Sequence, residues 1–478
     1  MRIFSLPSVL RSWLFSVSLA TLACWCAATP AAAAAIGNVD NIAKGQIAGW
    51  ALDLAATSAT SNVSIYLDGP NGVGKQLGSI STNGSRIDIN ARYKTTGSHG
   101  FSWSIPTQYK QARHIWFVYA TGVDGSATLL GNAPVVYPPI AANSIGTPEM
   151  VVDYQTEKCE FFDIPDHPAR AYRTADGNVT LIASHLDARR AVGPTLNSVK
   201  HQCAVIHKSS RDSTFQNFRY FQWLQGPYTF DGKTIYEIMH NEWYGNIVKP
   251  SCHGDMIDSW VSAMTLAVSR DGGASFVSPL DYIVRNPTTP WSNSFPCTPS
   301  APTRYGDLGG SNIIKKGSYY YKFFIYETEP NITPAQSRQC VMRSDDLSNA
   351  SSWSVWNGRG WTKSKTDPCA PVPVLQNARS VTYNVALHMY LAVQWFPPRG
   401  FAFNVSWDLM NWSAPTMIST PGLDGATTAY PSLLDPIDTS LNFERSGLRP
   451  YLYYTQQHPG TFGDLMRIPL RFSVESGE

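Results

Sequence analysis

The sequence predicts an all-β protein in which a small β-sandwich domain precedes a five-bladed β-propeller. Short segments rich in β-branched and aromatic residues alternate with turns of Gly, Asn, Asp and Pro, and the chain contains 35 Gly and 33 Pro. Beyond about residue 150 such segments recur in five units of three or four strands, as is typical of propeller blades. No stretch keeps a helical periodicity of apolar residues.

Residues 1–35 have the layout of a secretory signal peptide. Arg2 and Arg11 precede an apolar run that ends in the small residues of 29–35. We therefore expect a secreted or periplasmic protein. The segment that ends at Cys24 also resembles a lipoprotein acylation site, so anchoring there is the less favoured alternative. No later apolar run reaches the roughly 20 residues that a transmembrane helix needs.

The composition excludes some partners and favours others. The net charge is +2, only 15% of the residues are charged, and no basic tract occurs, so nucleic acid is not expected as a partner. Aromatic residues make up 12% of the chain, which suits a protein that stacks sugar rings on aromatic faces. We expect a carbohydrate partner and a monomer.

Six cysteines follow the signal segment, and an even number in an exported chain favours disulfide bonds. Many connectivities are open, and we favour the pairing of neighbours in order. The pairs would be Cys159 with Cys203, Cys252 with Cys297, and Cys340 with Cys369. No Cys-x-x-Cys or clustered His pattern indicates zinc, so no metal site is predicted.

Residues 36–137 are predicted to form the β-sandwich domain, followed by a linker at 138–150. Gly, Asn and Asp turns separate four strand-like segments, which span 46–53, 62–68, 99–106 and 114–120. Three tryptophans belong either to the core, which we favour, or to a sugar-binding platform: Trp50, Trp103 and Trp116. The module resembles the accessory β-sandwich domains of secreted bacterial enzymes, through Gly-Trp-Ala-Leu-Asp at 49–53 and His-Gly-Phe…Ile-Pro at 99–106.

Residues 151–478 are predicted to form the propeller. Its five units each contain a short strand, a turn, a stronger aromatic strand and a third strand. Residues 269–276 fit the Asp-box pattern, and 344–353 and 406–412 are looser relatives. In such turns the Asp side chain accepts backbone N–H groups, so we interpret these carboxylates as structural rather than catalytic. They are Asp271, Asp345 and Asp408.

With these turns, residues 151–472 resemble the propeller glycoside hydrolases, namely sialidases and the five-bladed arabinanase- and xylosidase-type enzymes. That resemblance implies hydrolysis of a polysaccharide or glycoconjugate by paired carboxylates in a central pocket, with inversion as our expectation. Carried over by position, Asp166 would be the base, Glu242 the acid and Asp307 the carboxylate that tunes the acid. The acid falls earlier in the chain than is usual for the family, and Asp163 competes with Asp166.

Glu242 is also a candidate from the residues alone. Alternation along the strand at 234–240 puts His240 and Glu242 on one face, and a carboxylate beside an imidazole at a strand mouth can donate a proton. A salt bridge from Glu242 to an arginine is the open alternative. The strand starts and mouths supply the remaining candidates for substrate binding: Asp163, Arg170, His185, His240, Asn241, Asn312, Arg379 and Tyr430.

Two other functions stay open. A carbohydrate-binding or adhesive propeller without catalysis would keep the aromatic pocket but lack an uncommitted carboxylate pair. A sialidase-like enzyme for acidic sugars would bind a carboxylate through arginines such as Arg170 and Arg379, although five units fit that family less well than six. No cofactor is expected, and a structural calcium ion in the central channel stays open.

Overall fold

The computed structural model describes residues 35–183, 185–247, 259–295, 303–330, 336–458 and 461–474. Cys24, Cys252, Cys297 and the predicted signal peptide up to residue 34 lie outside this part of the chain. Its regular structure is almost all β, as predicted, with two short α-helices, α1 (Ile87–Tyr93) and α2 (Tyr154–Glu157), and four 3-10 turns. The turns are Thr107–Tyr109, Phe215–Asn217, Gly245–Ile247 and Ala350–Ser352. Within the described residues we find no helix with the length and apolar character needed to cross a bilayer.

The first nine strands form two antiparallel sheets around one core. They are β1 (Ala35–Ala43), β2 (Gln46–Asp53), β3 (Asn62–Leu67), β4 (Lys75–Ser81), β5 (Gly84–Ser85), β6 (Ser98–Ser104), β7 (His114–Thr121), β8 (Ala127–Leu129) and β9 (Val135–Tyr137). One sheet has the order β1-β2-β6-β5, and the other has β4-β3-β7-β8, with β9 also on β7. Side chains from both sheets, such as Ile47 and Ile65, share one hydrophobic cluster. Trp50 and Trp116 are buried and Trp103 packs against that cluster, in agreement with the core interpretation. A separate sandwich domain stays a prediction.

Residues from the predicted linker at 138–150 pair with the C-terminal end of the chain. β10 (Ile140–Ser144) and β11 (Glu149–Val152) both run antiparallel to the last described strand, Thr461–Val474. The sheet at the end of the chain is therefore completed by strands that precede residue 153. This pairing gives hydrogen-bond partners to the backbone of both segments.

The remaining strands form mostly antiparallel units in sequence order. They are β12 (Arg170–Arg173), β13 (Val179–Ile182), β14 (Asp187–Gly193), β15 (Lys200–Lys208), β16 (Phe221–Thr229), β17 (Ile235–Tyr244), β18 (Trp260–Ser269), β19 (Ile283–Arg285), β20 (Arg304–Leu308), β21 (Ile313–Lys316), β22 (Tyr319–Glu327), β23 (Ser337–Ser344), β24 (Ser354–Trp356), β25 (Trp361–Thr362), β26 (Ala378–Asn384), β27 (Met389–Phe396), β28 (Gly400–Ser406), β29 (Thr416–Met417), β30 (Thr428–Leu434), β31 (Arg445–Ser446), β32 (Tyr451–His458) and β33 (Thr461–Val474). One sheet contains β12 to β15, another β26 to β29 with β31, and a third combines β30, β32 and β33 with β10 and β11. Strands β16 to β25 form one ten-stranded sheet, because β18 and β20 pair in parallel and join two antiparallel units.

The first strands of five successive units, β12, β16, β21, β26 and β30, contact one another in a closed ring. Arg170 lies inside this ring and is 2% exposed. Its guanidinium donates hydrogen bonds to the carbonyl oxygens of Gln225, Gly310 and Arg379. Another bond reaches Oγ of Ser432. Since these acceptors lie in or just before the other four first strands, one side chain links all five. A propeller requires such a ring, and the five-bladed count stays a prediction.

The predicted carboxylate turns are present, with one change of residue. Asp271 accepts the backbone N–H of Ser275 at 3.0 Å, and Asp408 accepts those of the second and third residues after it. In the remaining turn the sequence assigned this role to Asp345, but Asp346 has it and accepts the N–H two places on. In all three turns the carboxylate follows a serine by two positions, and this Ser-x-Asp spacing selects Asp346.

Two of the three favoured disulfide bonds are present, and the third lies outside the described residues. Cys159 is bonded to Cys203 with 5.4 Å between the Cα atoms, and Cys340 to Cys369 with 6.0 Å. The first bond ties the segment before β12 to β15. Both bonds are compatible with an oxidising compartment outside the cytoplasm.

Candidate active site

A cavity of about 710 Å³ lies beside the strand ring and is lined by residues from several units. Six residues that the sequence predicted as site residues line it: Asp166, His185, His240, Glu242, Arg379 and Tyr430. Its walls also carry aromatic rings: Phe162, Trp223, Tyr244, Trp260 and Trp395. Aromatic side chains offer flat apolar faces, and those of Tyr and Trp add a polar group at the edge.

Three cavity residues lie where a first strand loses its regular pairing. The register shifts around Gln225 in β16, at Arg379 in β26 and around Tyr430 in β30. Tyr430 also has a φ of 54°, a conformation that few residues other than glycine adopt. Because a bulge interrupts the alternation of side chains, it can turn one of them towards a site at the sheet edge. The irregular backbone thus accompanies three side chains that reach the cavity.

Asp166 precedes β12 and is held entirely by side chains. Trp223 Nε1 donates to its Oδ2 at 3.0 Å, Tyr430 Oη donates to Oδ1 at 3.1 Å, and His185 Nε2 lies 3.1 Å from Oδ2. Burial alone would raise the pKa of Asp166, but His185, Tyr430 and Trp223 together outweigh it and hold the pKa below its usual value. Among the described residues no backbone N–H donates to Asp166, so it is not the cap of a turn.

Glu242 lies near the end of β17 on the same face as His240, as the alternation predicted. His240 Nε2 lies 2.9 Å from Oε1 of Glu242. The N–H of Gly309 donates to His240 Nδ1 at 3.2 Å, so the hydrogen of this imidazole is on Nε2 and points to Glu242. The Tyr244 hydroxyl donates to Oε2. Within the described residues no arginine pairs with Glu242, so the alternative of a salt bridge to an arginine is wrong. The partners of Glu242 are the imidazole of His240 and the phenol of Tyr244.

Trp223 connects the two carboxylates. Its indole N–H donates to Asp166, while its ring lies 5.4 Å from that of His240, the partner of Glu242, at an interplanar angle of 37°. His185 packs edge-on against the same indole with 5.5 Å between the ring centroids. One aromatic residue therefore fixes the orientation of the partners of both acids.

Arg379 lines the cavity and forms no ion pair with an acidic residue in the part of the chain that the structure describes. Its Nη1 lies 3.5 Å from the carbonyl oxygen of Gly309, and its Nε is buried with no hydrogen-bond partner in the described residues. The guanidinium carbon lies 5.8 Å from the ring centre of Trp395. Burial lowers the pKa of Arg379, but an arginine keeps its charge in proteins.

Asp307, the predicted tuning carboxylate, does not line the cavity. It is 1% exposed, and Nε and Nη2 of Arg285 both lie 3.3 Å from its Oδ1. The next two residues of the chain, Leu308 and Gly309, do reach the cavity wall. Burial raises the pKa of Asp307 in spite of Arg285. The structure therefore places Asp307 in a buried ion pair, away from the wall that carries Asp166 and Glu242.

Asp163, the predicted competitor of Asp166, also lies outside the cavity. Its Oδ2 accepts the backbone N–H of Cys159 at 2.8 Å and lies 2.8 Å from His201 Nε2. These three residues are the only group of metal-ligand type that lies close together in the described part of the chain. Because Cys159 is in a disulfide bond, it has no thiolate to offer a metal. Asp163 thus stabilises the segment that leads to Asp166.

The other predicted binding residues contact backbone or strand side chains instead of the cavity. Asn241 lies on the opposite face of β17 from Glu242 and donates to Thr265 Oγ1 at 2.9 Å. Asn312 donates to the carbonyl of Val381 and accepts its N–H, both at 2.8 Å, and so connects β26 to the residue before β21. Arg170 occupies the ring itself. Within the described residues these polar groups hold strands together.

Sequence reasoning missed several cavity residues. Tyr244 follows from the alternation that gave His240 and Glu242, extended by one step. The tryptophans carried no such signal, since a tryptophan in a strand is equally at home in a core. Glu327, at the end of β22, does not line the cavity, but it is close enough to feel the charge of Glu242 and was also missed. Burial, and then the charge of Glu242, raise the pKa of Glu327, and its Oε2 has no hydrogen-bond partner in the described residues.

The residues on the axis of the ring do not fit a calcium ion. Near Arg170, the buried Lys322 donates to the carbonyl of Ser311 and lies close to the carboxylate of Glu237. Calcium takes about six to eight oxygen ligands. Oε2 of Glu237 has no hydrogen-bond partner in the described residues, but an ammonium and a guanidinium lie near this carboxylate, and their positive charges oppose the binding of a cation.

No protein-family model matches the chain, and neither does any curated protein. Several solved structures are similar to parts of it. A GH43_1 enzyme from Xanthomonas citri has 11% identity over 68% of this chain and 89% of its own, with a TM-score of 0.40. An alpha-L-arabinanase from Penicillium chrysogenum has 10% identity over 77% of this chain and 87% of its own, with a TM-score of 0.33. A sucrose-6-phosphate hydrolase from Lactobacillus gasseri has 10% identity over 67% of this chain and 62% of its own, with a TM-score of 0.39. At such low scores we base no inference on these similarities.

Proposed function

We propose that this protein hydrolyses a glycosidic bond in a polysaccharide or glycoconjugate. In this proposal the chain is exported by the signal peptide at 1–35 and carries an accessory β-sandwich at 36–137. The linker at 138–150 leads to a five-bladed propeller at 151–478, which contains the active site. The ring of five first strands around Arg170 supports the blade count.

One observation carries the proposed activity. Asp166, which precedes β12, and Glu242, in β17 of another sheet, line the same cavity, which has aromatic walls. Glycoside hydrolysis needs one carboxylic acid to protonate the leaving oxygen and a second carboxylate to act as base or nucleophile. Aromatic faces such as those of Trp223, Trp260 and Trp395 suit the apolar faces of sugar rings.

Asp166 is proposed as the base. Its three side-chain partners hold its pKa below the usual value, so it is ionised at neutral pH, as activation of a water molecule requires. Its side chain remains 29% exposed, which leaves an approach from the cavity. We propose inversion, which needs about 6.5–9.5 Å between the two carboxyl groups to admit that water.

Glu242 is proposed as the acid. A proton on Oε2 would require the Tyr244 hydroxyl to turn from donor to acceptor, which a phenol can do by rotating its O–H. Burial, together with the charge of Glu242, raises the pKa of Tyr244, so the phenol keeps its own proton. His240 continues to donate to Oε1 in either state and keeps the carboxyl group oriented towards the cavity.

The test is a glycan panel with the purified protein, with Asp166→Asn and Glu242→Gln compared with wild type. Each substitution should reduce kcat by about 10²–10⁴-fold on any substrate found, because each removes one proton-transfer group. Asp367→Asn is the matched control, since that exposed carboxylate accepts no hydrogen bond in the described residues. Unchanged turnover in both site variants would contradict the proposal. The anomer released, observed by NMR, tests inversion.

Carbohydrate binding without hydrolysis is the second candidate function. The observation that favours it is that every oxygen of Asp166 and Glu242 already accepts a hydrogen bond from the protein. The same panel separates the two functions. Glycan binding without product, with equal affinity in wild type and Glu242→Gln, would support the binding protein.

A further inference from the structure

We propose that the glycan bound in this cavity carries a carboxylate, as a uronic acid does, and that Arg379 binds it. This inference rests on the proposed function only in that it takes the cavity to be a glycan site. It adds the class of sugar. The observations that carry it are the unequal pairing of charges in the cavity wall and the fixed position of Arg379.

The negative charges of the cavity have hydrogen-bond partners in the protein, whereas Arg379 has no acidic partner among the described residues. Asp166 accepts bonds from Trp223 and Tyr430, and Glu242 accepts one from Tyr244. Among the described residues, no carboxylate oxygen lies within 4.0 Å of the guanidinium nitrogens of Arg379. A charge that is partly withdrawn from water and has no partner is costly, and a ligand that supplies an anion removes that cost.

Glu327 is the acidic residue that could weaken this asymmetry. It is close enough to affect Arg379 electrostatically, but it makes no hydrogen bond to it. Burial raises the pKa of Glu327 and so disfavours its charged form. Its Oε2 is buried without a partner in the described residues, which a direct contact with Arg379 would have satisfied. The guanidinium therefore keeps its capacity to bind an anion.

The position of Arg379 is fixed before any ligand binds. Its backbone carbonyl accepts a bond of 2.7 Å from Arg170, and the strand register shifts at this residue. Trp395, over which the guanidinium lies, is itself anchored by a bond of 2.9 Å from Nε1 to the carbonyl of Thr428. Since a preorganised guanidinium loses little freedom on binding, its planar fork suits two parallel bonds to a carboxylate.

Tyr430 relates this guanidinium to the proposed chemistry. Its ring lies 5.6 Å from that of Trp395, which packs against Arg379, and its hydroxyl donates to Asp166. The charges of Asp166 and Arg379 both act on this phenol, in opposite directions. A sugar whose anomeric carbon faces Asp166 can thus extend across Tyr430 and place its carboxylate at Arg379.

The experiment measures binding by calorimetry with the Glu242→Gln variant, so that no substrate is consumed. The probes are tetrasaccharides of galacturonate and of hyaluronan, each paired with its carboxyl-reduced counterpart, which has the same rings and no charge. We expect at least one acidic probe to bind about tenfold or more tightly than its reduced partner. Adding Arg379→Gln should abolish that preference, and Arg379→Lys should restore part of it, because it keeps the charge and loses the fork.

Arg399→Gln is the matched control, since this exposed arginine packs on Phe396 outside the cavity, and it should keep the preference. Circular dichroism and thermal melting of each variant confirm folding. If neutral glycans bind as tightly as the acidic ones, or if Arg379→Gln keeps the preference, this inference fails and the proposed function stands. If no glycan binds, acidic or neutral, and none is hydrolysed by wild type in the panel, the proposed function fails as well.

Discussion

Two arginines, each at the start of a first strand, have opposite environments in this fold. Arg170 begins β12, is 2% exposed, and directs its donors to carbonyl oxygens of the surrounding strands. Arg379 lies at the second position of β26, lines the cavity, and has one contact of 3.5 Å to a backbone oxygen. From sequence both were candidates for substrate binding. Both arginines thus belong to the strand ring, but they differ in burial. The buried guanidinium of Arg170 holds strands together, and that of Arg379 lines a cavity.

The acidic residues repeat this contrast. Asp307 is buried against Arg285, while Asp166 is bound by three side chains at the cavity wall and remains 29% exposed. In the same way, Glu237 and Lys322 are buried close to Arg170. Burial disfavours the charge of both, so it raises the pKa of Glu237 and lowers that of Lys322. The charged groups that are buried away from the cavity therefore contribute to the fold, whereas those that line the cavity can contact a ligand.

The largest effect that this contrast predicts is on stability. Arg170→Met should lower the free energy of unfolding by about 4 kcal/mol, because several buried carbonyl groups lose their donor and Glu237 loses a nearby cation. Arg379→Met should change it by less than about 1 kcal/mol. Urea denaturation followed by tryptophan fluorescence measures both. Equal losses in the two variants would contradict the distinction between the arginines.

The fold could be predicted in its class and in much of its local order. Alternating apolar residues and turn residues identify strands whatever their partners, and the all-β class is confirmed. What the pattern cannot contain is pairing between distant segments. β10 and β11 were assigned to the linker and its end, yet they pair with β33, more than three hundred residues later. The parallel contact of β18 with β20 likewise has no signature within either strand.

The site could be predicted only in part, for a similar reason. His240, Glu242 and Tyr244 follow from alternation along one strand, which is a local property. Arg379 and Tyr430 were found as residues at strand starts, but their orientation depends on register shifts that the sequence does not mark. The burial of Asp307 away from the cavity depends on Arg285, its partner from β19. Sequence spacing does not show whether a side chain at a strand end is buried or lines the cavity.

A second prediction separates Asp307 from Asp166. Asp307→Asn should lower the free energy of unfolding by about 2 kcal/mol, because the buried Arg285 loses its anionic partner. The loss is smaller than for Arg170 because Arg285 also donates to the carbonyls of Ser364 and Asp367. Asp166→Asn should cost less stability than Asp307→Asn, because the amide keeps one oxygen acceptor at a partly exposed site, and it should reduce kcat. Chemical denaturation and initial rates on the same preparations measure this. A larger loss of kcat in Asp307→Asn than in Asp166→Asn would reverse the assignment.

The smallest effect concerns pH and the role of His185 at the wall. Burial would raise the pKa of Asp166, but His185 and two other donors outweigh it and hold the pKa below its usual value. The base is therefore ionised at neutral pH, and activity is lost only as the pH falls through that low pKa. His185→Asn removes the imidazole and leaves the burial. The pKa of Asp166 should then rise, and the acidic limb of the kcat/KM profile should move to higher pH, with activity at neutral pH little changed. The profile of Asp367→Asn serves as the control. A limb that stays in place after His185→Asn would mean that another group titrates, and Asp166 would no longer be the proposed base.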